Sequence, residues 1–259
     1  MPVNADVERP DTESSAESAQ SLPINELFYS LQGEGKLAGV PTVFVRTSGC
    51  NLRCWFCDSY HTSWEPTHSW MSLDDIIDEV SAYDQATHVV LTGGEPLMYD
   101  DSVELLNRLG EAGYHTTVET NGTIYRDAHI DLASISPKLA SSTPTPEKDP
   151  KGEGDWASRH EDRRIDMGAL TTLVDDYESQ LKFVVTGPDD MDEIEELVDR
   201  VRDATSTAIP DSDILLMPEG VTRDQLDETR NEVAELATEH GYRYTPRLHV
   251  DLWNDAPGT

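Results

Sequence analysis

The sequence is short of cysteine, of basic residues and of long apolar runs, and each shortage excludes something. Its three cysteines all fall between positions 50 and 57. An odd number packed that closely is no disulfide framework; it points to a metal or cluster site in a reducing compartment. No apolar run reaches the ~20 residues that a membrane-spanning helix needs. The opening stretch MPVNADVERPDTESSAESAQ lacks the basic-then-apolar pattern of a secretory leader. Acidic, Ser/Ala-rich and poor in large apolar side chains, residues 1–22 are expected to be a disordered tail ahead of one domain at 23–259. A soluble, cytoplasmic protein with no membrane partner is expected. No repeat unit of about 20–50 residues is present.

The basic shortage is the most informative. Nineteen Lys and Arg stand against 51 Asp and Glu, a net charge of −32. The acids dot nearly every helical stretch, as in DDIIDEV, DDMDEIEELVD and RDQLDETRNEVAEL. Phosphate repels such a surface, which argues against direct nucleic-acid binding. Acidity spread over the whole surface suits high salt, where counterions screen self-repulsion, and points to a halophilic, archaeal source.

Short β-branched runs alternate with amphipathic helical stretches. Strands are expected at Ile24–Ser30, Thr42–Thr47, His88–Thr92, His115–Glu119, Leu132–Ile135, Leu181–Thr186 and Ile214–Met217. Helices are expected at Ser72–Tyr83, Asp101–Ala112, Met167–Asp176, Met191–Asp203 and Arg223–His240. In the first, Leu73, Ile76, Ile77 and Val80 share a face behind Ser72 as N-cap. Such alternation implies an α/β fold with a largely parallel sheet, open or wrapped into a barrel, and a site at the C-terminal strand ends. LTGGEP, ETNGT and ISPK end three successive strands and are expected to face one pocket. The Ser-, Pro-, Lys- and Gly-containing segment 140–166 interrupts the rhythm and reads as a surface insertion or loop.

The cysteines lie in Gly49-Cys50-Asn51-Leu52-Arg53-Cys54-Trp55-Phe56-Cys57-Asp58. Three thiolates can ligate three irons of a cubane and leave the fourth open, unlike a four-cysteine ferredoxin. A structural zinc site completed by His61 or His68 stays open on spacing alone. The Cys-x3-Cys-x2-Cys pattern, with an aromatic before its last cysteine and Gly93-Gly94-Glu95-Pro96 downstream, resembles the radical S-adenosylmethionine (SAM) superfamily. Further segments narrow the likeness: Phe28-Tyr29-Ser30-Leu31-Gln32-Gly33-Glu34-Gly35, Val43-Phe44-Val45-Arg46-Thr47-Ser48, Glu119-Thr120-Asn121-Gly122-Thr123, Ser136-Pro137-Lys138, Leu181-Lys182-Phe183 and Arg247-Leu248-His249. In order along the chain, these resemble the 7-carboxy-7-deazaguanine synthases.

That resemblance implies a partial TIM-like βα barrel of about six parallel strands. It implies conversion of 6-carboxy-5,6,7,8-tetrahydropterin to 7-carboxy-7-deazaguanine with release of ammonia, using a 4Fe–4S cluster, SAM and Mg²⁺. The product feeds queuosine or archaeosine, and a halophilic archaeon favours archaeosine. A homodimer and a reductant such as ferredoxin or flavodoxin are implied as partners. By the same resemblance Cys50, Cys54 and Cys57 hold the cluster and Ser59 ligates Mg²⁺. Phe56, Asp58, Gly94, Glu119, Ser136, Pro137 and Lys138 meet SAM. Leu31, Gln32, Gly33, Arg46, Thr92 and Thr259 meet the pterin, with Arg46 clamping its carboxylate. The ending NDAPGT lacks the family's basic Arg-Gly terminus, which sets Thr259 apart. Two alternatives remain at this stage: an activating enzyme for glycyl-radical proteins, and a non-catalytic zinc or electron-carrier protein.

The charge makes a direct prediction. Transfer from molar KCl to dilute buffer should lower the thermal midpoint, followed by circular dichroism; an unchanged midpoint would contradict a high-salt adaptation.

Overall fold

The computed structural model describes residues 20–151, 154–254, 256 and 258. Its elements are β1 (Ser21–Leu31), β2 (Pro41–Thr47), α1 (Tyr60–Ser63), β3 (Ser69–Ser72), α2 (Leu73–Ser81), β4 (His88–Gly93), α3 (Asp101–Glu111), β5 (His115–Thr120) and β6 (Leu132–Ile135). There follow α4 (Ala157–Arg163), α5 (Met167–Asp176), β7 (Ser179–Val185), α6 (Met191–Ala204), β8 (Ile214–Pro218), α7 (Arg223–His240), β9 (Arg243–Tyr244) and α8 (Leu248–Trp253). The helices start where local chemistry lets them. Ser72 Oγ accepts from the Asp75 N–H at 3.1 Å at the head of α2, and Thr222 and Gln225 form a capping box on α7.

One nine-stranded sheet runs in the order β3-β1-β2-β4-β5-β6-β7-β8-β9. β1 is antiparallel to both of its neighbours. From β2 through β4 to β9 every pairing is parallel. The six expected parallel strands are therefore present, and the two-residue β9 extends them. Among the described residues no hydrogen-bonded ladder joins β3 to β9, and the barrel they form is incomplete. The loop after β1 spans part of the gap instead: Gly35 N–H donates to Thr245 Oγ1 at 2.7 Å, Lys36 N–H to Gln180 Oε1 at 2.8 Å and Lys36 Nζ to the Ser179 carbonyl at 2.9 Å.

The two faces of the sheet divide the labour by strand pleat. Val43, Val45, Leu91, Val118, Ala133, Ile135, Leu181, Phe183 and Val185 point into one apolar core with residues of α2, α3, α5, α6 and α7. Their alternates Phe44, Arg46, Thr92, Glu119, Ser134, Lys182 and Val184 line a cavity on the other face. A one-residue slip in any of these strands would exchange apolar core for polar lining, so the register is tightly specified.

Two sequence expectations need correction. The tail was drawn to residue 22, but Ser21 and Leu22 pair with Ser72 and Met71 and Leu22 is fully buried; residues 1–19 lie outside the described residues. The segment 140–166 is not simply a surface loop. It contains α4, and its Ser142 and His160 are buried against the cysteine loop. Polar composition hid this, because what these residues bury is hydrogen-bonded backbone rather than apolar surface. β3, β9, α1 and α8 also escaped the sequence reading. Each has six residues or fewer, too short to display a period. Among the described residues no helix is long and apolar enough to cross a membrane.

Candidate functional site

The C-terminal ends of the strands open on a cavity of about 630 Å³. Cys50, Cys54 and Cys57 line it from the loop between β2 and α1. Burial pushes the Cys50 thiol up to about 12 and raises Cys54 and Cys57 as well. Thiolates there need compensating positive charge, which ligated irons provide. Cys50 Sγ already accepts from the Leu52 N–H at 3.4 Å, and Cys57 Sγ from Ser63 Oγ–H at 3.1 Å. Among the described residues no three His, Cys, Asp or Glu side chains converge as one metal ion would require. A cubane takes each thiolate on a different iron and needs no such convergence.

Neighbouring loops brace the cysteines. Gly94 follows β4, and a Cβ there would lie 2.0 Å from the Gly49 carbonyl oxygen and 2.9 Å from Cys50 Cβ. Only glycine lets the two loops approach this closely. Glu95, fully buried, points away from the cavity and accepts from the Asn121 N–H at 2.7 Å, the Leu97 N–H at 3.0 Å and Thr120 Oγ1–H at 2.9 Å. Burial raises its pKa to about 7 against the pull of these donors. Asn121 also donates to Asn51 Oδ1 at 2.9 Å, and Asn51 to Thr123 Oγ1 at 2.7 Å. The ETNGT motif thus ties β4, β5 and the cysteine loop together.

The opposite wall is ionic. Glu119 accepts from Thr92 Oγ1–H at 2.8 Å and from Gln32 Nε2 at 3.1 Å. Glu34, in the loop after β1, pairs with Lys182 of β7 and, at 3.0 Å, with Arg247 Nε ahead of α8. Burial alone would raise the Glu34 carboxyl, but Lys182 and Arg247 overcome it and hold the group well below the usual carboxylate range. Arg247 also pairs with Asp58. A Cβ on Gly33 would fall 1.9 Å from His249 Nδ1, and the Leu248 N–H donates to the Gly33 carbonyl at 2.9 Å. The chain end is therefore folded onto the loop after β1.

Most of the expected site residues share this cavity: Leu31, Gln32, Gly33, Arg46, Phe56, Asp58, Ser59, Thr92, Gly94, Glu119, Ser136 and Lys138 all line it with the cysteines. Pro137 is buried and does not line it. Thr259 lies outside the described residues. Arg46 Nη1 donates to Ser59 Oγ at 2.8 Å, and Ser59 Oγ–H to Asp58 Oδ1 at 3.3 Å. Arg46 Nε is 3.2 Å from Glu26 but makes no hydrogen bond. Lys138 Nζ donates to Ser136 Oγ at 2.6 Å. Lys182, Arg247, His249 and Glu95 fall within the family-like segments, but the resemblance assigned none of them a place in the site. Lys182 carried a further signal, a charge alternating with Leu181 and Phe183 in a strand; Arg247 carried none beyond its segment.

Comparison with known proteins agrees with this geometry. Residues 44–137 match the Radical SAM superfamily model. The chain is 70% identical over 259 residues, the whole of both chains, to 7-carboxy-7-deazaguanine synthase of Halobacterium salinarum. It is 40% identical over 260 residues, all of this chain and 96% of the other, to that of Rhodopirellula baltica. The crystal structure of QueE from Escherichia coli superposes with a TM-score of 0.59 at 26% identity, covering 88% of this chain and 95% of that one.

Two substitutions probe the arrangement. Glu34→Gln takes the nearest carboxylate from buried Lys182 and leaves Arg247 with Asp58 alone, and should cost about 3–5 kcal/mol in denaturation at fixed KCl. Because the folded Glu34 is more acidic than the unfolded one, its contribution is present above the usual carboxylate pKa and lost as pH falls, so the deficit of the variant should shrink in acid. A deficit independent of pH would rule out the charge as its source. Gly94→Ala should leave a folded chain that retains less iron and sulfide after reconstitution; full retention would show that the contact with Gly49 is not limiting.

Proposed function

Since the chain belongs to the 7-carboxy-7-deazaguanine synthases, radical SAM enzymes of 7-deazapurine biosynthesis, we propose that its cavity seats SAM and a carboxylated tetrahydropterin side by side over the three-cysteine loop. The observation that carries this reading is the shared lining: the three cysteines together with Arg46, Gln32, Glu119 and Lys182. Membership in the family sets aside the glycyl-radical activase and the non-catalytic alternatives. Cys50, Cys54 and Cys57 would hold a 4Fe–4S cluster, which together with bound SAM would supply the radical chemistry of the family.

The protein's own part is to bind, orient and exclude water. Arg46 Nε is buried without a hydrogen-bond partner, 3.2 Å from Glu26, and an incoming carboxylate would replace that ion pair with hydrogen bonds. Gln32 offers an amide to the pterin edge while its Nε2 is fixed on Glu119. Leu31, Gly33 and Thr92 complete that side. Phe56, Asp58, Gly94, Ser136 and Lys138 face SAM, and Met217 and Glu219 flank its adenine from the end of β8. Mg²⁺ would take the Ser59 hydroxyl oxygen together with substrate and water oxygens, as befits a hard cation that dehydrates reluctantly. Arg46 donates to that hydroxyl here. A homodimer, and a ferredoxin or flavodoxin as reductant, complete the proposal.

An anaerobic assay in high salt, with reconstituted protein, SAM, Mg²⁺, a strong reductant and 6-carboxytetrahydropterin, should yield 7-carboxy-7-deazaguanine by mass spectrometry. Product should vanish without SAM and fall without Mg²⁺. SAM cleavage with no deazapurine would overturn the substrate assignment while sparing the radical chemistry. In the same assay Arg46→Gln should raise the KM for the pterin about tenfold or more, leaving that for SAM little changed, the size expected for one hydrogen bond to a charged group.

A further inference from the structure

The segment between β6 and α5 is fastened to the cysteine loop by its backbone. The Trp55 N–H donates to the Ser142 carbonyl at 3.1 Å, and Trp55 Nε1–H to the Ser141 carbonyl at 2.7 Å. Arg53 is almost wholly buried between Cys50 and Cys54. Its guanidinium donates to the Cys50 and Leu52 carbonyls, both at 2.7 Å, and stacks 4.4 Å from the Trp156 ring centre. At the other end of the segment, Arg164 donates to the Lys138 carbonyl at 3.0 Å and pairs with Glu193.

His160 is the centre of this attachment and is fully buried. Its Nδ1 accepts from the Arg53 N–H at 3.1 Å, and its Nε2 lies 2.9 Å from Ser142 Oγ. Ser142 Oγ–H is committed to the Leu139 carbonyl at 2.6 Å. The serine oxygen must therefore accept from His160 Nε2–H, which leaves Nδ1 as an acceptor for Arg53. Burial depresses the imidazole pKa to about 4 and keeps it neutral.

We propose that His160 is a positioning residue for the iron–sulfur cluster, fixing the backbone between Cys50 and Cys54 through the Arg53 N–H. The inference rests on the three cysteines as cluster ligands. Partners one shell out from a metal commonly set ligand orientation, and losing one typically weakens metal binding about 10–100-fold. The chemistry is specific to an acceptor at the δ position. Asn can present its Oδ1 there, whereas Phe fills the space with no acceptor.

The test compares His160→Phe, His160→Asn and Cys54→Ala with the parent after anaerobic reconstitution. The readouts are iron and sulfide content, the rate of iron loss to a chelator, and the electron paramagnetic resonance spectrum of the reduced cluster. His160→Phe should fold, as judged by circular dichroism, yet lose iron about 10–100-fold faster and show a shifted spectrum. His160→Asn should recover most of the loss. Parent-like behaviour of His160→Phe, or equal failure of the two histidine variants, would overturn the proposal. Full iron in Cys54→Ala would overturn the ligand assignment instead. If His160→Phe does not fold, Ser142→Ala decides: it removes the acceptor of His160 Nε2–H that orients the ring toward Arg53, and faster iron loss supports the proposal while an unchanged rate overturns it.

Discussion

A buried carboxylate, Glu34, holds the open side of this barrel to the rest of the molecule. The sheet runs from β3 to β9 without closing on itself. Across the gap Glu34 meets Lys182 from β7 and Arg247 from the segment before α8. Charges removed from water are costly unless each finds a partner, so the three segments are placed together or not at all. Asp58, next to the last cysteine, joins the group through Arg247. The ionic closure and the cysteine loop are in this way parts of one structure.

The pleat then assigns chemistry to faces. A strand that gives the core Leu181, Phe183 and Val185 gives the cavity Lys182 and Val184. The same alternation sends Arg46, Thr92, Glu119 and Ser134 inward from four other strands. A parallel sheet delivers all of these at its C-terminal edge, where the loops after β2, β4, β5 and β6 add the cysteines, Gly94, Asn121 and Lys138. Glu95 and Asn121 lock those loops to one another, so the site is framed before any ligand arrives.

Against this stands the charge of the chain. With only 19 basic residues to 51 acidic ones, four of the bases, Arg46, Lys138, Lys182 and Arg247, line the same cavity. The carboxylates of Glu26, Glu34, Asp58, Glu119 and Glu219 line it with them, so a protein that is acidic outside keeps its cavity cations paired rather than exposed. Buried pairs are screened by salt far less than surface charges, so high ionic strength can relieve the exterior and leave the cavity intact.

The sequence by itself determined the parallel βα order, the three-cysteine loop and most of the cavity lining. These rest on local facts: period-two and helical patterns over long segments, and motifs whose residues are close in the chain. Ser72 as a cap and LTGGEP at a strand end could be read without coordinates. Tertiary structure alone decided which distant groups meet. Arg247 reaches Glu34 across 213 residues of chain, and nothing in its neighbourhood announces that contact. His160 and Ser142 looked like loop residues because polar composition usually marks solvent exposure; here they satisfy the buried backbone of the cysteine loop. Hydrogen-bond complementarity between remote segments leaves no period in a sequence, and it appears only once the chain has folded.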